Sequence, residues 1–188
     1  DPRFDVTIVR DGSILGARGA IDISDPNSQD AIGKVNLRST VTGYYLRKFL
    51  DTNINLSAQT ITSTYHYFPV IRLADIYLLY AEAMNEAYGP NDAADLGWTA
   101  LEALNKVRTR AGITVPYTTT SQTEMTKKIR NERRVELAFE DQRYFDLRRW
   151  KDAKDEESLP MYGCNVFMTK GERDLFYKPV PVSDVLTC

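Results

Sequence analysis

The stretch Leu73-Ala-Asp-Ile-Tyr-Leu-Leu-Tyr-Ala-Glu-Ala-Met-Asn-Glu-Ala87 decides the fold. Leu73, Ile76, Tyr77, Tyr80, Met84 and Ala87 recur at helical spacing. Leu78 and Leu79 fall on the opposite side, which leaves only a thin polar stripe of Asp75, Glu82 and Glu86. A helix apolar nearly all round must pack on more than one side. Gly89-Pro90 ends it. A second helix is read over 93–111, with Trp98, Leu101, Leu104, Val107 and Ala111 on one face and Gly112 after its end. Two helices across a short Gly-Pro turn form an αα-hairpin, the unit of tetratricopeptide-like repeats. No second copy recurs at a fixed period. Ser121-Gln-Thr-Glu124 has the capping-box pattern and opens a third helix running to Phe139 or Glu140. A fourth covers 142–151. Beyond Ser158 the chain reads as irregular, and Pro179-Val-Pro181 forbids helix there.

The first third differs. Phe4-Asp-Val-Thr-Ile-Val9 has strand composition, Asp11-Gly12 and Asp25-Pro26-Asn27-Ser28 are turn signals, and Val41-Thr-Gly-Tyr-Tyr-Leu46 reads as a short extended piece. The expected fold is therefore mainly α. It comprises a tetratricopeptide-like helical hairpin plus further helices, with a loop-rich N-terminal region containing short strands. Residues 1–188 read as one domain, with 1–67 loop- and strand-rich and 68–188 helical.

Composition narrows the function. Of 188 residues, 43% are hydrophobic and 27% charged, which suits a folded domain. A formal net charge of −2 provides no basic field for nucleic acid or an anionic membrane surface. No apolar run approaches the ~20 residues of a membrane-spanning helix. One histidine, His66, argues against His-rich zinc sites and a Ser-His-Asp triad. Cys164 and Cys188 are as consistent with a disulfide as with two free thiols. The opening at Asp1-Pro2 and the end at Cys188 suggest a piece of a longer protein.

Within the third helix Met125, Ile129, Val135 and Phe139 form an apolar arc, and Glu132 and Glu136 fall in its middle. Inward carboxylates are costly unless paired and hydrogen-bonded. Arginines are close in sequence, and their planar fork suits bidentate carboxylate binding. A structural ion-pair network is expected, drawing on Arg108, Arg110, Glu132, Arg133, Glu136, Arg143, Asp146 and Arg149. A catalytic carboxylate pair is the competing reading. Glycosidase carboxylates, however, flank a sugar from separate elements and need a raised pKa on the acid. Neighbouring arginines lower both. Asp22, Asp25, Asn27 and Asp30 supply oxygen ligands of a calcium-like kind without EF-hand spacing, so turn chemistry is the reading there. There is no phosphate loop, GxSxG elbow or CxxC, and no catalytic, metal or cofactor site is expected. Loop aromatics remain as ligand candidates: Tyr44, Tyr45, Tyr65 and Tyr117.

Five ordered segments resemble the SusD/RagB family. They are Thr42-Gly-Tyr-Tyr-Leu-Arg-Lys-Phe49, Phe68-Pro-Val-Ile-Arg-Leu-Ala-Asp-Ile-Tyr-Leu-Leu-Tyr-Ala-Glu-Ala83, Leu104-Asn-Lys-Val-Arg-Thr-Arg-Ala-Gly112, Ile129-Arg-Asn-Glu-Arg-Arg-Val-Glu-Leu-Ala-Phe-Glu140 with Arg143-Tyr-Phe-Asp-Leu-Arg-Arg-Trp150, and Tyr177-Lys-Pro-Val-Pro181. Where members often carry Gly after the third motif, this chain has Asp141, which tolerates a left-handed turn. The resemblance implies a non-enzymatic, lipid-anchored protein at the cell surface. Such a protein caps a SusC-type TonB-dependent outer-membrane transporter and captures oligosaccharides or other nutrients. The anchoring cysteine of the family is neither Cys164 nor Cys188. The alternative is a helical-repeat interaction module that chiefly docks a partner. On either reading, the apolar girdle of the first helix should leave an exposed patch or be covered by the N-terminal strands.

Overall fold

The computed structural model describes residues 1–25, 27–31, 39, 40, 42–53, 64–160, 162–164 and 177–179. The chain forms two compact units: Phe4–Tyr67 with Lys154–Cys188, and Asp1–Arg3 with Phe68–Ala153.

In the loop-rich unit, Phe4–Thr7 is one helical turn (α1), followed by strand β1 at Ile8–Val9. β2 (Ile14–Leu15) and β3 (Gly19–Ala20) form a hairpin around a 3₁₀ turn at Gly16–Arg18. β4 (Tyr45–Leu46) pairs antiparallel with β1 in the register Ile8↔Leu46, Val9↔Tyr45. The strand expected over Phe4–Val9 is thus cut to its last two residues. Its partner is only two residues long, because Leu50 N–H closes a turn on the Arg47 carbonyl just beyond it. The Thr7 carbonyl instead accepts from Arg47 and Lys48 N–H at 2.9 and 3.1 Å. Gly16 is needed where it stands. Its φ is +45°, and a Cβ there would lie 2.0 Å from the Thr52 carbonyl oxygen. Val9, Ile21 and Ile23 form the small core, with Leu15 and Tyr45 packed on it.

The helical unit contains α2 (Leu73–Tyr88), α3 (Ala100–Arg110), α4 (Gln122–Glu136) and α5 (Gln142–Trp150). A short α6 (Ala153–Glu157) follows as the chain returns to the loop-rich unit, where β5 (Tyr162–Cys164) pairs with β6 (Tyr177–Pro179). α2 ends at Gly89, whose N–H donates to the Asn85 carbonyl. α3 begins seven residues later than the pattern of 93–111 suggests. The cause is chemical: Thr99 accepts from Glu102 N–H while the Glu102 carboxylate accepts from Thr99 N–H, a reciprocal capping box. Thr99→Ala should lower stability by about 1 kcal/mol in urea unfolding.

α4 stops at Glu136, short of Phe139, because Arg72 Nη2 donates to the Glu136 carbonyl at 2.7 Å. Phe139 and Asp141 then take left-handed conformations, φ +64° and +61°, so Asp141 occupies the turn where relatives often place Gly. The buried cluster joins α2, α3 and α4 through Leu78, Met84, Leu104, Val107, Met125 and Ile129. The apolar girdle of α2 is thus covered on one side only. Leu78 and the supposedly polar-stripe residue Asp75 are buried, whereas Leu73, Ile76 and Leu79 are exposed. The exposed apolar patch is therefore present on α2. Among the described residues, no helix is long and apolar enough to cross a membrane.

The chain crosses between the units three times, and an arginine–carboxylate pair within the helical unit stands beside each crossing. Arg3 binds Glu132 and Glu136, Arg72 binds Glu136 and Glu140, and Arg130 binds Asp152.

Candidate functional site

Glu132 and Glu136 face inward from α4, as their place on the apolar arc requires. Glu132 accepts from Arg3 at 2.5 Å and from Arg108 at 3.2 Å. Glu136 receives Arg3 at 2.9 Å, Arg72 at 2.7 Å and Arg110. One turn round the helix, the buried Arg133 bridges Asp75 of α2 and Asp146 of α5, each at 2.7 Å. Arg149 binds Asp146 at 2.9 Å and also holds Glu82, which accepts from Trp150 Nε1 at 2.8 Å. Arg143 is half-buried on α5 and likewise engaged. Sequence reasoning missed Arg3, Arg72, Asp75 and Glu82. Arg3 lies 129 residues from its partner, and no local pattern signals such a contact.

Burial alone would raise the Glu136 carboxyl, but the Arg3 and Arg72 guanidinium groups outweigh it and hold the pKa below the ordinary value. At Glu82 burial is likewise outweighed, by Arg149 and Trp150. A carboxylate depressed in the folded state stabilises fully above its unfolded pKa, near 4.3. It loses that contribution as pH falls through the folded value. Unfolding midpoints should therefore be level from neutral pH to about 5 and decline below that. Glu136→Gln should shallow the acid limb in a thermal-unfolding series across pH. A carboxylate held ionised by arginines is also a poor general acid.

The loop-rich unit contains an open cleft of about 600 Å³. Phe49, Tyr65, His66 and Tyr67 supply its aromatic walls, and Asp51 and Thr52 supply polar groups. Tyr65 is 90% exposed. Phe49, in a left-handed conformation, stands edge-on to His66 at 6.0 Å. A second cleft of about 470 Å³ is lined by Tyr45, Ile21, Gln29, Asp30 and Ser39 among others, and Leu15, Arg18 and Leu50 line both.

The four candidate tyrosines separate. Tyr65 lines the first cleft and Tyr45 the second. The Tyr45 ring packs on the small core, and its hydroxyl donates to the Asp30 carbonyl. Tyr44 packs edge-on against Phe4 at 6.2 Å. Tyr117 stands apart in the helical unit: Arg108 and Lys128 sit at 3.5 and 4.5 Å from its ring centroid, and Asn105 pins its backbone. Its ring is occupied by cations. Phe49, His66 and Tyr67 line the first cleft without having been sequence candidates.

Asp22 accepts from Ser24 and Asp25 N–H, and Asp25 accepts from Asn27 N–H, as in Asx turns. Among the described residues no group of three or more His, Cys, Asp or Glu could hold a metal ion. Cys188 lies outside the described residues, and with it any pairing to Cys164.

The SusD family model matches residues 1–179. SusD-like protein P25 of Formosa agariphila is 41% identical over 91 residues, covering 43% of this chain and 15% of that protein. The crystal structure of a SusD-like protein from Bacteroides fragilis NCTC 9343 superposes with a TM-score of 0.66 at 29% identity, over 89% of this chain and 31% of that one. This chain thus spans well under half the length of either relative. With the family model running across nearly the whole sequence and a helical relative superposing on it, the chain belongs to the SusD family.

Proposed function

We propose that this chain captures glycans without catalysis, through the aromatic cleft bounded by Phe49, Tyr65 and Tyr67, for delivery to a SusC-type TonB-dependent transporter. Family members are in general nutrient-binding, outer-membrane-associated lipoproteins and non-enzymatic. The observation that supports the reading here is the cleft itself. Exposed aromatic faces beside Asp51 and Thr52 offer apolar area for sugar rings and polar partners for their hydroxyls. Among the described residues no other constellation rivals it, because the Glu132–Glu136 carboxylate pair is neutralised by arginines.

A carbohydrate array followed by titration calorimetry tests the reading. Tyr65→Ala and Tyr67→Ala should each weaken glycan binding by about 2–10-fold, equivalent to roughly 0.5–1.5 kcal/mol for one aromatic contact. Both side chains are exposed, so melting temperature should not move. An array without a single bound glycan, with transporter binding retained, would favour the partner-docking alternative. One observation speaks for that alternative: the exposed apolar residues Val70, Ile71, Leu73 and Ile76.

A further inference from the structure

The two clefts of the loop-rich unit adjoin. Leu15, Arg18 and Leu50 line both, so one wall belongs to an aromatic cavity of about 600 Å³ and also to a second cavity of about 470 Å³. Each alone is large enough for a small ligand. Taken together as one trough, they carry the Arg18–Asp30 ion pair at the wall they share.

That pair is asymmetric. The Asp30 carboxylate is held in place: its second oxygen accepts from Asp22 N–H at 3.2 Å, and its own N–H donates to Ser28 Oγ at 3.1 Å. The Tyr45 hydroxyl also donates to the Asp30 carbonyl. The Arg18 side chain, by contrast, is 50% exposed. An ion pair with so open a cation contributes little to stability. A guanidinium carries five N–H donors in a rigid fork, which matches the paired hydroxyl oxygens of a sugar ring as well as a carboxylate. Asp30 keeps the fork oriented while part of it stays available to a ligand.

The charge of the trough limits what enters. Arg18 is opposed by Asp30 and Asp51, all three lining it, so an anionic chain gains no net attraction. Aromatic walls and hydroxyl or amide groups (Thr52, Gln29, Ser39) suit a neutral, hydroxyl-rich chain.

We infer that a neutral oligosaccharide lies across both cavities, with Arg18, oriented by Asp30, hydrogen-bonding it where the two cavities meet. This rests on the glycan-binding reading of the aromatic cleft and extends it to chain length, charge and a second cavity. Arg18 is then a specificity-determining residue: it rewards ligands long enough to cross the junction and discriminates little among those that stop short of it.

NMR titration of the chain with glucose, maltohexaose, cellohexaose, xylohexaose, mannohexaose and hexagalacturonate tests this. At least one neutral hexasaccharide should shift Tyr65 and Tyr67 together with Gln29 and Ser39. Arg18→Met should weaken that hexasaccharide about tenfold or more, the range for a charged hydrogen bond. Its effect on the matching monosaccharide should stay within about twofold, and its melting temperature should match the parent. Shifts confined to the aromatic cavity would overturn the inference while leaving the glycan reading intact. So would equal losses for hexamer and monomer, or tighter binding of hexagalacturonate than of every neutral hexamer. No shift in either cavity with any of these sugars would overturn both.

Discussion

Arg133→Met is expected to lower the free energy of unfolding by about 3–5 kcal/mol, measured by urea denaturation. Arg133 is 2% exposed and is the largest fully buried side chain among the described residues. It bridges Asp75 and Asp146, both buried, at 2.7 Å each. Removing the cation leaves Asp75 in the interior without its guanidinium, and Asp146 with Arg149 alone from the pair that bound it. An uncompensated buried charge dominates the loss. Arg133→Lys should also destabilise, because one ammonium cannot reproduce two directed contacts from Nε and Nη1. Replacing Asp75 and Asp146 by Leu in the Arg133→Met background should restore part of the stability, since apolar substitutes for a whole buried cluster are often tolerated. A loss below about 1 kcal/mol for Arg133→Met would contradict a buried cluster.

Leu78→Ala and Leu73→Ala should differ sharply, although the residues are five apart on one helix. Leu78 is 0% exposed and packs in the cluster shared by α2, α3 and α4, so its truncation should cost about 2–5 kcal/mol. Leu73 is 66% exposed, and its truncation should stay within about 0.5 kcal/mol. Thermal and urea unfolding of the two variants reads the orientation of α2 directly. Equal losses would mean that both faces are covered.

The same pair shows what the sequence could and could not specify. Helical spacing placed α2 within one residue of its ends, because Gly89 and the apolar repeat are local signals. Which face turns inward depends on partners that sequence proximity does not reveal. Arg133, 58 residues away, draws Asp75 into the core and leaves Leu73 and Ile76 outside. The inward carboxylates of α4 were legible because they interrupt an apolar arc. Half of their arginines were not, since Arg3 and Arg72 belong to segments without periodicity. Among the loops of both units, composition pointed to tyrosines but could not sort them. Tyr65 and Tyr117 are alike as letters, and only the packing of Arg108 and Lys128 on the second separates them.

The pairs beside the three crossings have a consequence for how such a protein can change. Arg3 and Arg72 each find their carboxylate inside the helical unit, so the framework fastens both ends of the 4–67 excursion without relying on its contents, and Arg130 with Asp152 stands where the chain leaves the helical unit again. Closing a longer excursion between fixed ends is cheap, about 0.6 kcal/mol for each doubling of length. Residues 4–67 are a segment stapled at each of its two ends. Substitutions or insertions within residues 4–67 should therefore leave Glu132, Arg133 and Glu136 holding the same scaffold.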